Sequence, residues 1–160
     1  DLITYLNSNI MDTIILEKFY NSLMDGENLK TAKSIRNMMN DLPEYMAIRL
    51  EDRYKENHSP FAKVWRYKGT DMVFEGYTIG TLYFKMDIWC NEEGYYVHFW
   101  EPNEQCDILE YFETSKSLVG FEYYNNNRFD IIKHFDFNNE NGLLAFIDSF
   151  LVELSQRENS

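Results

Sequence analysis

The stretch "TLYFKMDIWCNEEGYYVHFWE", Thr81 to Glu101, decides the fold. Leu82, Phe84, Met86, Ile88 and Cys90 alternate with Thr81, Tyr83, Lys85, Asp87 and Trp89, a period of two that a strand satisfies and a helix does not. The loop "NEEG" then turns the chain back into Tyr95. Pairing Cys90 with Tyr95 sets Ile88 opposite Val97 and Met86 opposite Phe99, which makes one continuous apolar face. A slip of one residue would turn that whole set toward solvent, so the pattern specifies the register. The second face then carries Tyr83, Lys85, Asp87, Trp89, Tyr96, His98 and Trp100, with Trp89 across from Tyr96, Asp87 from His98 and Lys85 from Trp100. Aromatic rings on a sheet mostly pack beneath another element, so a covered second face is the expectation and a free aromatic platform the alternative.

Outward from this hairpin the same period recurs in aromatic and β-branched segments. They are "FAKVWRYKG" from Phe61, "DMVFEGYTIG" from Asp71, "SLVGFEYY" from Ser117 and "RFDIIKHFDF" from Arg128. Before them the apolar spacing is three and four. Ile10, Ile14, Ile15, Phe19 and Leu23 suggest one helix, with Ser8 or Asp12 as its cap, and "MDGEN" interrupts it. Leu29, Ala32, Ile35 and Met39 suggest a second helix from about Asn28 to Met39, and Asp41-Leu42-Pro43 the start of a third running to about Tyr54. After the loop "NNENG", Leu143, Leu144, Phe146, Ile147, Phe150, Leu151 and Leu154 form the stripe of a closing helix. The expected class is therefore α+β: N-terminal helices, a central antiparallel sheet of about five to seven strands, and a C-terminal helix packed on the sheet. The organisation expected is one domain over 1–160, mainly helical over 1–56, sheet over 61–137 and helix over 139–157. The 160 residues are enough to bury a core without staples. No apolar run approaches the ~20 residues of a membrane span.

The formal charge of −12 is unevenly placed. Residues 1–68 balance, whereas 69–160 hold only Lys85, Lys116, Arg128, Lys133 and Arg157 against all the excess acid. Between Lys85 and Lys116 there is no Lys or Arg, and the acids there are Asp87, Glu92, Glu93, Glu101, Glu104, Asp107, Glu110 and Glu113. Such a field repels nucleic acid and anionic membrane and attracts basic partners. Direct nucleic-acid binding, which needs a basic footprint, is disfavoured.

Cys90, His98 and Cys106 lack the close pairing of zinc ligands, and the alternation sets Cys90 and His98 on opposite faces, so no metal or cofactor is expected. The two cysteines read as free thiols of a cytoplasmic protein. Asp87 and His98 could orient an imidazole for general-base work in a small hydrolase, but no nucleophile motif accompanies them. Glu92 with Glu93, or Glu110 with Glu113, could act as an acid and base pair, but so crowded a run of acids reads as solvated. What sets the run apart is its interleaving with Tyr95, Tyr96, Phe99, Trp100, Tyr111 and Phe112, since Tyr and Trp anchor protein interfaces while charges steer encounter. The expected partner-binding residues are Asp87, Glu92, Glu93, Tyr96, Trp100, Glu101, Glu104, Asp107, Glu110 and Glu113. No catalytic role is expected of them.

In overall character, a small, strongly acidic, cysteine-poor α+β chain rich in Asn and Tyr, the sequence resembles bacterial toxin-immunity proteins, including those of contact-dependent growth inhibition. The resemblance extends over the whole chain in composition and carries no individual residue with it. It implies a non-enzymatic cytoplasmic protein that neutralises a cognate basic toxin domain, such as a nuclease, by covering its active-site cleft. A phage-type nucleic-acid mimic directed at a defence nuclease is the other binding protein these features suit.

Overall fold

The computed structural model describes residues 18, 21–22, 26–91 and 93–158. The expected helix over Ile10–Leu23 with its cap lies almost wholly outside them. The chain divides into two compact units, residues 1–41 and 42–160. The sheet belongs to the second.

Helix α1 runs from Gly26 to Tyr54, so the two helices expected over Asn28–Met39 and Asp41–Tyr54 are one. Pro43, expected to open a new helix, lies inside it. A proline there forfeits the bond to the Met39 carbonyl, yet its fixed φ is helical, so the helix can continue through it. From Met46 onward α1 gains a core face, with Met46, Ala47, Leu50 and Tyr54 all buried.

Six antiparallel strands follow: β1 (Lys63–Tyr67), β2 (Asp71–Ile79), β3 (Leu82–Cys90), β4 (Tyr95–Trp100), β5 (Glu122–Tyr123) and β6 (Asp130–Phe135). Their spatial order is β1-β2-β3-β4-β6-β5. The central hairpin has the register its alternation demands, with Cys90 opposite Tyr95, Ile88 opposite Val97 and Asp87 opposite His98. "SLVGFEYY" does not make the full strand expected of it. Only Glu122 and Tyr123 pair, at the sheet edge, after Leu118 and Phe121 have turned into the core. In β2 the register shifts between Glu75 and Tyr77. This bulge at Gly76 moves Tyr77, where strict alternation would place Gly76, onto the core face. Gly76 has φ +93, and a Cβ there would come within 2.7 Å of the Ala62 Cβ, so no other residue fits without displacement.

Helix α2 (Ile108–Tyr111) and helix α3 (Glu140–Glu158) complete the unit. α3 packs against the same sheet face as the end of α1: Phe150 meets Phe99 edge-on at 5.2 Å between ring centres, and the Tyr77 hydroxyl donates to the Leu154 carbonyl at 3.1 Å. Phe84 stacks on Phe99 at 5.4 Å, and Tyr54 meets Phe74 at 5.6 Å. Each such fully buried ring contributes about 2–3 kcal/mol of transfer free energy. One face of the sheet is therefore dry and covered by helices.

Candidate functional site

The opposite face of the sheet is only half-buried across β3 and β4, where Tyr83, Lys85, Asp87, Trp89, Tyr96, His98 and Trp100 all retain solvent contact. The expectation of a covered second face is corrected for the described residues: the end of α1 (Met46, Ala47, Leu50, Tyr54), α2 and α3 bury their apolar side chains on the Phe99 side, while Leu29, Ile35 and Met39 of the expected second helix are exposed. The register extends the open face to Lys63, Trp65 and Tyr67 on β1, to Asp71, Val73 and Glu75 on β2, and to Asp130, Ile132 and His134 on β6.

This face has two electrostatic halves. On the β1–β2–β3 side, Glu75 lies between Lys63 at 2.9 Å and Lys85 at 2.6 Å and accepts the Trp65 indole N–H at 3.1 Å. These cationic partners hold its carboxyl down at about 2. On the β3–β4–β6 side, among the described residues, no Lys or Arg forms an ion pair with the carboxylates. Asp87 and Asp130 flank His98 instead, with Asp87 Oδ1 3.2 Å from Nδ1 and Asp130 Oδ1 3.8 Å from Nε2. Burial pushes the Asp87 carboxyl above the usual aspartate range, and its hydrogen bond with His98 opposes the rise only in part.

His98 is also the centre of an aromatic cluster. Trp100 stacks on it at 4.6 Å, Trp89 meets it edge-on at 5.9 Å, and Tyr124 leans in at 5.4 Å. Trp89 in turn stacks on Tyr96 at 5.6 Å, and Tyr96 lies 5.0 Å from His134. The side chain of His98 keeps only 14% exposure. Its Nδ1 is within hydrogen-bond distance of Asp87 Oδ1, and its Nε2 is turned toward Asp130. That Nε2 is buried and has no hydrogen-bond partner. Beside it the surface sinks into an open hollow of about 450 Å³ lined by His98, Trp100, Glu101, Pro102, Glu104, Asn127, Phe129 and Asp130.

The residues expected to bind a partner do not form one patch. Asp87, Tyr96 and Trp100 share the open face. Glu93 joins them at the hairpin tip by accepting the Tyr96 hydroxyl at 2.5 Å. The tip is seated against β6 because Gly94, at φ +153, has no side chain to strike the Phe135 carbonyl and the His134 ring. Glu92 lies outside the described residues. Glu104 is exposed at the rim of the hollow. Glu101 is 1% exposed, and its carboxylate accepts the backbone N–H groups of Asn103 and Gln105. It holds its own loop together and is removed from the surface contacts. Asp107 is occupied too, accepting the Glu110 N–H at the start of α2 at 3.2 Å and the Tyr123 hydroxyl at 2.8 Å. Glu110 and Glu113 are exposed but belong to the helical layer, because the neighbouring Phe112 packs on Phe84 at 5.4 Å and Phe99 at 5.7 Å.

A stretch free of basic residues in sequence is not free of them in space. The Arg157 guanidinium sits 5.1 Å from the Phe112 ring and donates to Thr114 at 3.0 Å, and the Ile108 N–H bonds the Arg128 carbonyl at 3.0 Å. Both arginines are thus brought to the edge of the acidic connection by the fold, although the ion pair of Arg157 is with Glu153 at 3.5 Å. Asp130, Tyr124, Trp65 and Glu75 were missed as members of the face. The alternation of "RFDIIKHFDF" could have supplied Asp130, but nothing local ties β6 to β4.

The cysteines and histidine lie apart, as the register requires: Cys90 is buried in the core behind the sheet and His98 is in front of it. Burial pushes the thiols of Cys90 and Cys106 up to about 11. Among the described residues no group of three or more His, Cys, Asp or Glu is arranged to hold a metal ion. No helix among them is long and apolar enough to cross a membrane. No Ser, Thr or Cys lines the hollow beside His98. Compared with family models, curated proteins and solved structures, the chain matches none.

Proposed function

We propose that this protein is a non-catalytic immunity protein that binds a basic toxin domain, a nuclease being the partner its charge suits best, and covers that domain's active-site cleft. The observation carrying the reading is the bare β3–β4–β6 half of the sheet face. There Trp89, Tyr96 and Trp100 stand half-exposed among carboxylates that, among the described residues, make no ion pair with Lys or Arg, Lys85 being held by Glu75. Rings held in place by mutual stacking lose little entropy on binding, which suits them as anchors. A basic cleft presented to this field gains encounter rate, toward ~10⁸ M⁻¹s⁻¹ at low salt.

Size constrains the mode of binding. Three strands at ~4.8 Å spacing and six residues at ~3.3 Å span only a few hundred Å². A standard interface buries roughly 800 Å² per partner, so the partner must also reach the Glu93 tip or the Glu104 rim. The test is co-expression with the product of the neighbouring upstream gene, together with capture of that product at low and high salt. Rescue of growth and a salt-sensitive complex weakened by Glu93→Lys and Glu104→Lys are expected. A complex indifferent to both reversals and to salt would refute the site.

One geometry supports a second reading. Asp87 and Asp130 around His98 resemble an oriented general base, the arrangement of a small hydrolase. That reading requires His98→Ala to abolish a turnover while the fold persists.

A further inference from the structure

The hollow beside Trp100 has a lining of one chemical kind. Glu104 is exposed at its rim, Asp130 Oδ1 lies 3.8 Å from His98 Nε2, and that buried Nε2 has no hydrogen-bond partner. Glu101 adds a third carboxylate beneath, already bonded to loop amides. The Asn127 side-chain N–H₂, the obvious donor of the lining, already gives one of its two hydrogens to Asp130 Oδ2 at 2.5 Å. No Lys or Arg lines the hollow; the adjacent Arg128 guanidinium lies over the Phe129 ring at 4.9 Å. The walls include the Trp100 ring, fixed by its stack on His98. Acceptors in excess, negative charge and an aromatic wall call for a ligand that is cationic, planar and rich in donors. A guanidinium has five N–H donors in a plane and stacks on indole, whereas an ammonium has three donors and no face. At about 450 Å³ the hollow is at the small end of ligand pockets, a size suited to one side chain.

We infer that this hollow is an arginine receptor: the basic partner inserts one arginine side chain between Trp100 and the carboxylates of Glu104 and Asp130. The inference rests on the proposed function, which supplies a basic protein partner, and it names the residue type through which that partner is held. His98 is a positioning residue here, since its stack fixes the Trp100 ring.

The probe is arginine capped as N-acetyl amide, titrated into the intact protein beside the lysine equivalent. The Trp100 indole N–H signal, assigned by its loss in Trp100→Phe, is followed by NMR. Saturable shifts of that signal in the millimolar range are expected with the arginine probe, with the lysine probe about tenfold weaker. Glu104→Gln changes an exposed side chain and should leave the fold intact while weakening arginine binding about tenfold. Asp130→Asn, which retains the Asn127 contact through its oxygen, should weaken it similarly. Equal response to both probes, or full arginine affinity in Glu104→Gln, would overturn the inference. A basic partner still captured in salt-sensitive fashion while the probe fails removes the arginine receptor alone. Failure of every basic partner with the probe still binding removes the proposed function and leaves the receptor standing.

Discussion

Replacing Glu75 with Gln isolates one electrostatic device of the sheet and gives it a pH signature. The carboxylate bridges three strands, bonded to Lys63 on β1 and Lys85 on β3 at 2.9 and 2.6 Å, with the Trp65 indole N–H at 3.1 Å. Its folded-state value of about 2, against an ordinary 4.5, corresponds at full strength to about 3 kcal/mol. Lys63 is 62% exposed, so solvent screens part of this, and about 1–2 kcal/mol is the expected loss at neutral pH. For a domain of this size that lowers the melting temperature by roughly 3–6 °C. Because the folded value is depressed, the contribution is fully present above pH 4.5 and is lost as the pH falls through about 2. Thermal melts of wild type and Glu75→Gln should therefore differ most near pH 7, converge toward pH 2, and converge at neutral pH in high salt. A difference of the same size at pH 7 and pH 2.5 would show that shape, not charge, carries the effect, and would refute the reasoning.

Tyr54→Phe should cost about 1–2 kcal/mol in urea unfolding, because it removes the hydroxyl that donates to Asp148 at 2.8 Å beside the Arg53–Asp148 ion pair. A neutral result would mean that water replaces the bond. Glu101→Ala should destabilise by about 3 kcal/mol, since two loop amides lose a buried charged acceptor. If binding falls while stability is unchanged, Glu101 is a contact residue after all. With both thiols raised to about 11, roughly one in a few thousand is thiolate at pH 7.5, so iodoacetamide should label Cys90 and Cys106 slowly until urea is added. Labelling of the native protein at the rate of free cysteine would contradict this.

What was legible in the sequence was whatever depended on neighbours along the chain. Alternation over Leu82–Cys90 and Tyr95–Trp100 was enough to set every pair of the central hairpin, because a period of two admits one register with a dry face. The stripe from Leu143 to Leu154 identified α3 for the same reason at the other period. Local signals misled where packing overrode them. Pro43 reads as a helix start and sits inside α1, and "SLVGFEYY" reads as a strand but gives Leu118 and Phe121 to the core and pairs only through Glu122 and Tyr123. Gly76 inside a strand pattern was the available sign of the bulge that brings Tyr77 inward.

The site divides along the same line. The sequence determined that the chain is acidic, that its acids lie among aromatic rings, and that Asp87, Tyr96, His98 and Trp100 share one face, since facing follows from parity alone. Only the tertiary structure decided which acids are available. Glu101 turned inward onto amides two and four residues away, Asp107 was taken by α2 and Tyr123, and Asp130 arrived beside His98 from a strand thirty residues on. It also decided that the helices cover the other face. Charge counted along a chain is a sum over neighbours in sequence, whereas a surface field is a sum over neighbours in space, and pairing across strands is what converts the first into the second.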